Sequence, residues 1–238
     1  MTTIDKNYNI FKKYLKAYVE QDSVDSFITW LDSTDFKTAP ASSKYHLCCE
    51  GGLVKHSLNV FFRLFQLLRS EYPDEIVVDE NNKPLVDEDG KTLVKYTCPF
   101  DKSSIAFVSL LHDISKANYY KISYKNVQNQ ETGAWEKKPY YNVRDESERT
   151  FFGSHEENSL FILSKFFDIT DDEAVAIRYH MGMLEETNIT SGRMFHAYKT
   201  NPLAFFLHEA DMMAMCLDEK ENFENVEINE QNNTKSNK

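Results

Sequence analysis

Leu110-Leu111-His112-Asp113-Ile114-Ser115-Lys116 decides how the rest of the chain is read. It places adjacent imidazole and carboxylate groups at the end of an apolar run, Ile105, Phe107, Val108, Leu110 and Leu111, spaced as in a helix. If the helix continues through the pair, His112 and Asp113 lie side by side and Lys116 falls one turn below His112. One His-Asp pair alone means little, but this one has company. His56 follows Gly51-Gly52-Leu53-Val54-Lys55, His155 follows Gly153-Ser154, His180 ends another apolar pattern, and Asp211 closes His208-Glu209-Ala210-Asp211. Imidazole nitrogens together with carboxylate oxygens suit first-row transition metals, whereas an all-oxygen set would suit magnesium or calcium.

The order His56, His112-Asp113, His155, His180, Asp211 resembles the ligand series of the HD superfamily of metal-dependent phosphohydrolases. Tyr45-His46 followed by Gly51-Gly52-Leu53-Val54-Lys55-His56 is similar to the entry motif of the HD domain in YhaM-type exoribonucleases. Ala176-Ile177-Arg178-Tyr179-His180-Met181-Gly182 and the later Pro202-Leu203-Ala204 resemble small stand-alone HD proteins of bacteria and their phages. The resemblance spans roughly residues 40–217 and implies a mainly α fold, an HD helical bundle. The implied activity is metal-assisted hydrolysis of a phosphomonoester or phosphodiester: a nucleotide, a cyclic (di)nucleotide or a short oligonucleotide.

In the minimal pattern of that superfamily His56, His112, Asp113 and Asp211 hold one metal ion. His155 and His180 match the positions that hold a second, with Asp113 bridging; the Gly-Ser-His spacing before His155 departs slightly from Gly-His. The resemblance therefore implies two divalent transition metal ions, manganese, iron, cobalt or nickel ahead of magnesium, and one ion if His155 and His180 do not ligate. Asp113 and Lys116 are the implied catalytic residues, with Lys116 steadying the phosphate; an exposed helical lysine is the plain alternative. His46 and His208 are candidates for substrate contact or for orienting the ligands. Tyr120 and Lys137 are candidate substrate contacts on a flap.

Composition bounds these expectations. The chain has 238 residues and a net charge of −11, enough length for one domain with insertions. Such a charge argues against binding duplex DNA unspecifically. Residues 74–89 and 218–238 carry most of the net negative charge, −9 of −11, leaving the body near neutral and open to a nucleotide or a short single strand. No apolar run nears the roughly 20 residues that cross a bilayer, and the start lacks a signal-peptide core, so a cytoplasmic protein is expected. Cys48, Cys49, Cys98 and Cys216 form no CxxC pattern and read as free, buried thiols.

Residues 1–40 read as a helical packing segment, 41–217 as the main domain, and 218–238 as an acidic disordered tail. One or two helices are expected over 8–31, with Asp22-Ser23 offering a cap. A long helix is expected from Gly51 or Gly52 to about Ser70, then helices after Asp101, from Ser154 through Phe167, after Thr170, and from Pro202 to about Leu217. Two β insertions interrupt them. The first, about 75–97, is acidic and turns at Asp89-Gly90. The second, about 119–149, interleaves Tyr119, Tyr120, Tyr124, Trp135, Tyr140 and Tyr141 with Lys121, Lys125, Lys137, Lys138 and Arg144 around Glu131-Thr132-Gly133. It reads either as a flap that stacks on a base or as a hairpin packed on the domain.

Two other classes stay open: an HD-fold di-iron oxygenase acting on a small polyol or phosphonate, and a non-catalytic ligand-binding module.

Overall fold

The computed structural model describes residues 1–129, 132–149, 153–184 and 192–219. Eight α-helices and two antiparallel hairpins are found among them, so the chain is mainly α. α1 (Thr3–Tyr18) is opened by a capping box between Thr2 and Asp5 and turns Tyr8, Phe11 and Leu15 inward. α2 (Val24–Asp32) follows; Ser23 stands at its cap position but makes no side-chain bond there, so the expected cap is absent. Both helices contribute to one core with Leu53, Leu58, Leu64, Phe107 and Leu111, so residues 1–40 are part of the same folded body.

α3 (Gly52–Glu71) is the long central helix, and its two opening glycines have different jobs. Gly51 takes φ +76°, a left-handed turn that L-residues disfavour. Gly52 has no such angle, but a Cβ there would lie 2.2 Å from the carbonyl oxygen of Leu47. The close approach fixes where α3 starts and so where His56, in its second turn, points.

α4 (Lys102–Leu111) ends one residue before the His-Asp pair. Helix does not continue through that pair, as the sequence suggested it could. Asp113 adopts φ −106°, ψ 16°, and residues Ile114–Lys116 form a tighter 3₁₀ turn. α5 (His155–Leu163) is opened by a Ser154–Glu157 capping box and stops short of Phe167. α6 (Asp171–Tyr179) is opened by a Thr170–Glu173 box. α7 (Arg193–Thr200), absent from the sequence expectations, buries Met194 and Ala197 one turn apart. α8 (Pro202–Met213) starts with proline, whose missing N–H costs nothing at that position. It passes into a wider π turn, Ala214–Asp218. α3 packs against α4 and α8, and α6 against α8, which brings the ends of these helices together.

In the first hairpin β1 (Glu75–Ile76) pairs with β2 (Val94–Lys95). Its acids serve its turns: Asp79 Oδ1 accepts from the backbone of Asn81 and Lys83 at 2.8 and 2.9 Å, and Asp87 Oδ1 from Asp89 and Lys91 at 3.0 and 2.8 Å. The second hairpin is longer: β3 (Tyr120–Gln128) against β4 (Trp135–Val143), nine residues each. The four cysteines are free as expected but none is buried; Cys48 and Cys216 are exposed, Cys49 and Cys98 half-buried. Asp218 and Glu219, counted with the tail from sequence, are docked on the body; the rest of that segment lies outside the described residues. None of the helices described is long and apolar enough to cross a membrane.

Candidate metal centre

Five separate pieces of chain deliver the candidate ligands: α3 gives His56, the end of α4 gives His112 and Asp113, the first residue of α5 gives His155, the cap of α6 gives His180, and α8 gives Asp211. All six meet. Asp113 is 2% exposed, and its two oxygens face different pairs of imidazoles. Oδ2 lies 3.6 Å from His56 Nε2 and 3.5 Å from His112 Nε2. Oδ1 lies 3.5 Å from His155 Nε2 and 3.7 Å from His180 Nε2. Asp211 Oδ1 joins the first pair, 3.1 Å from His56 Nε2.

The outer nitrogens explain why the inner ones are free to ligate. His112 Nδ1 is 3.0 Å from the carbonyl of Ser109, and His180 Nδ1 is 2.7 Å from the carbonyl of Ile177. Each ring closes on the last turn of its own helix. A carbonyl only accepts, so Nδ1 carries the proton and Nε2 presents a lone pair. Burial pushes His112 down to about 4 and His155 down to about 3, so both are neutral at physiological pH.

Carboxylates back the other two rings. Glu219, held at the end of the π turn, puts Oε1 3.1 Å from His56 Nδ1; Glu156 Oε2 lies 3.4 Å from His155 Nδ1 without a hydrogen bond to it. Each half of the centre thus pairs one carbonyl-backed imidazole with one that has a carboxylate beside its outer nitrogen. Burial opposes a charge on His56, but Glu219 and Asp211 outweigh it and raise the ring to about 10. Asp113 is held well below the usual carboxylate range: burial opposes its charge, and Lys116 followed by the surrounding imidazoles overcomes that.

These features fit a cation better than a hydrogen-bonded core. Asp113 Oδ1 is buried without a hydrogen-bond partner, a costly state unless a positive ion meets it. His56 and His112 bring Nε2 atoms to 3.4 Å, and His155 and His180 to 3.3 Å. Two nitrogens bound about 2.0–2.1 Å from one tetrahedral ion would sit about 3.4 Å apart. Three groups cluster tightly enough to share an ion, His56–His112–Asp211, His112–Asp113–His180 and His46–His56–Glu219. His155, Asp211 and Lys116 keep 22%, 15% and 14% of their side chains exposed, so the centre opens on their side.

The remaining sequence candidates divide. Lys116 Nζ is 2.6 Å from Asp113 Oδ2, and Tyr120 is half-buried close by, its hydroxyl pushed up to about 12 chiefly by burial. His46 stands behind Glu219 and packs its ring on His56 at 4.8 Å between centroids. His208 Nδ1 grips the carbonyl of His180 at 2.6 Å. Both stand behind the candidate ligands, an arrangement that suits the orienting role left open by sequence. Lys137 pairs with Asn126, six residues along β3 from Tyr120. At about 3.4 Å per residue that is roughly 20 Å out, too far to touch a mononucleotide at the centre.

Sequence reading missed Glu219, Glu156 and Asn59, which donates to Glu219 Oε1 at 2.9 Å. The polar stripe His56, Asn59 and Arg63 on α3 marks a docking face but not its occupant; Arg63 grips Asp218 there with two nitrogens. Comparison of the chain with protein-family models, curated proteins and solved structures finds no match.

Proposed function

We propose that the chain is a metal-dependent phosphohydrolase of the HD type, cleaving a phosphate ester of a nucleotide or oligonucleotide. One observation carries the reading: a buried carboxylate, Asp113, offers one oxygen to each of two imidazole pairs. His56, His112, Asp211 and Asp113 Oδ2 would hold one divalent ion; His155, His180 and Asp113 Oδ1 would hold the other. A nitrogen-rich set of this kind favours manganese, iron, cobalt, nickel or zinc over magnesium. Ions bound there supply a nucleophile near neutral pH by lowering the pKa of water, and offset phosphate charge as it develops.

The chain's own groups do the rest. Lys116 sits at the open side with its ammonium on Asp113, where it can shift part of its hydrogen bonding to an incoming phosphate oxygen. Burial opposes its charge, yet Asp113 raises it above its ordinary range, so it stays cationic throughout the working pH range. Tyr120 borders the same opening and offers a ring to a sugar or base.

The test is a screen of nucleotides, cyclic dinucleotides and short oligonucleotides with each metal supplied. Metal-dependent phosphate release, lost in Asp113→Asn, is expected. Dioxygen uptake by iron-loaded protein with a polyol or phosphonate, and no phosphate release, would replace this reading with the oxygenase one.

A further inference from the structure

The β3–β4 arm is an anomaly in energetic terms. An isolated two-stranded hairpin is at best marginal in water, yet this one leaves Ile122, Tyr124 and Trp135 exposed at 59%, 66% and 70%. Cross-strand partners share a face. Tyr120, Ile122 and Tyr124 therefore lie with Val143, Tyr141 and Pro139, and the same face continues through Lys137 to Trp135. One aromatic stripe thus starts beside Lys116 and runs to the outer end of the arm, about 27 Å by strand rise.

Charge is arranged with equal purpose. The two strands carry four lysines against one glutamate in a chain of net charge −11. On the face away from the stripe, Lys125 and Lys138 are exposed and stand directly opposite each other, a like-charge pair that costs stability. An anionic partner turns that cost into attraction.

We propose that the arm is a track for a single-stranded nucleic acid several nucleotides long. Its bases lie along Tyr120, Tyr141, Tyr124 and Trp135, its phosphates meet Lys137 on the same face within the positive field that Lys125 and Lys138 add from the opposite face, and its end reaches the metal centre. Delivery of that end rests on the phosphohydrolase reading; binding along the arm does not. A row of exposed rings on a positively charged arm suits a strand whose bases are unpaired, because stacking is indifferent to sequence while the field attracts a phosphate at every step. A mononucleotide would use only Tyr120 and leave the outer two-thirds of the stripe idle.

The experiment measures fluorescein-labelled oligo(dT) and oligo(U) of 2, 4, 8 and 12 nucleotides by anisotropy, with tryptophan emission read in parallel. Affinity should climb with length until the arm is spanned, then level off, and should fall with salt. Trp135 emission should be quenched, and the quench should vanish in Trp135→Phe, since Trp30 is the only other tryptophan. Trp135→Ala and Tyr124→Ala should each weaken the longer strands by about 5- to 150-fold, with metal content and thermal midpoint as wild type. Lys137→Glu with Lys138→Glu should flatten the salt dependence. Equal affinity for dimer and 12-mer overturns the proposal, as does a self-association in sedimentation that Trp135→Ala abolishes. Length-dependent binding with no cleavage by any metal upholds the track while removing the hydrolase reading; cleavage without length dependence does the reverse.

Discussion

Glu219 and Asp211 hold the two nitrogens of His56 from opposite sides, each with a carboxylate oxygen 3.1 Å away. One carboxylate stands on the side of Asp113 and the other on the far side of the ring, so the ring is aimed, and its basicity raised, from behind. Glu219 is itself fully buried and held by Asn59 and His46.

Replacing Glu219 with Gln should therefore weaken the ion held by His56 and His112 by about 10- to 100-fold, the usual cost of losing an outer carboxylate. The ion held by His155 and His180 should keep its affinity. Isothermal titration with manganese resolves the two steps. Equal loss in both, or in neither, removes Glu219 from this role.

A proton competes for His56. Because the ring is raised to about 10, it is protonated at neutral pH in the metal-free protein, and a metal ion must displace that proton. Affinity at this half should rise by about tenfold per pH unit from 7 toward 10, instead of levelling near the ordinary histidine value of about 6.5. In Glu219→Gln the ring loses its outer anion, so the plateau should arrive at lower pH. Chelator competition between pH 6 and 9 reads the slope.

His155→Ala and His180→Ala should lower the metal content from about two ions to about one, while Asp113→Asn should deplete both, because its two oxygens serve both halves. Elemental analysis after desalting gives the count. A wild type that holds one ion at saturating manganese excludes the binuclear arrangement.

The opening of α3 makes a separate prediction about stability. Gly52→Ala forces a methyl against the carbonyl of Leu47 and should cost about 2–3 kcal/mol. Gly90 lies in the acidic hairpin with open space around it and φ +76°, so Gly90→Ala should cost only about 1 kcal/mol. Denaturant midpoints of the two variants compare them directly.

Much of this centre was legible because its ligands sit where local chemistry marks helix ends. His155 sits inside a Ser-x-x-Glu box, His180 precedes Gly182, and Asp113 follows an apolar run. The hairpins were legible from turn residues and β-branched runs. Glu219 was not, since one acid in an Asn- and Glu-rich segment carries no local signal, and only docking on α3 gives it a partner. α7 was hidden by a short polar stretch in which just two apolar residues turn inward. The 3₁₀ turn after Asp113 was hidden too. Apolar periodicity cannot distinguish it from one more helical turn, yet it sets Lys116 on Asp113.

The reach of the C-terminal turn back to α3 also has a bearing on the order of events as the chain is made. His56 emerges from the ribosome 163 residues before Glu219, and Arg63 emerges 155 residues before Asp218. Synthesis at about 5–20 residues per second leaves His56 without its outer carboxylate for roughly ten to thirty seconds. Contacts so distant in sequence are also slow to close. The first half of the centre is thus completed last, even though its histidine is the first to appear, and an ion captured early would have to wait for the final turn before being held tightly.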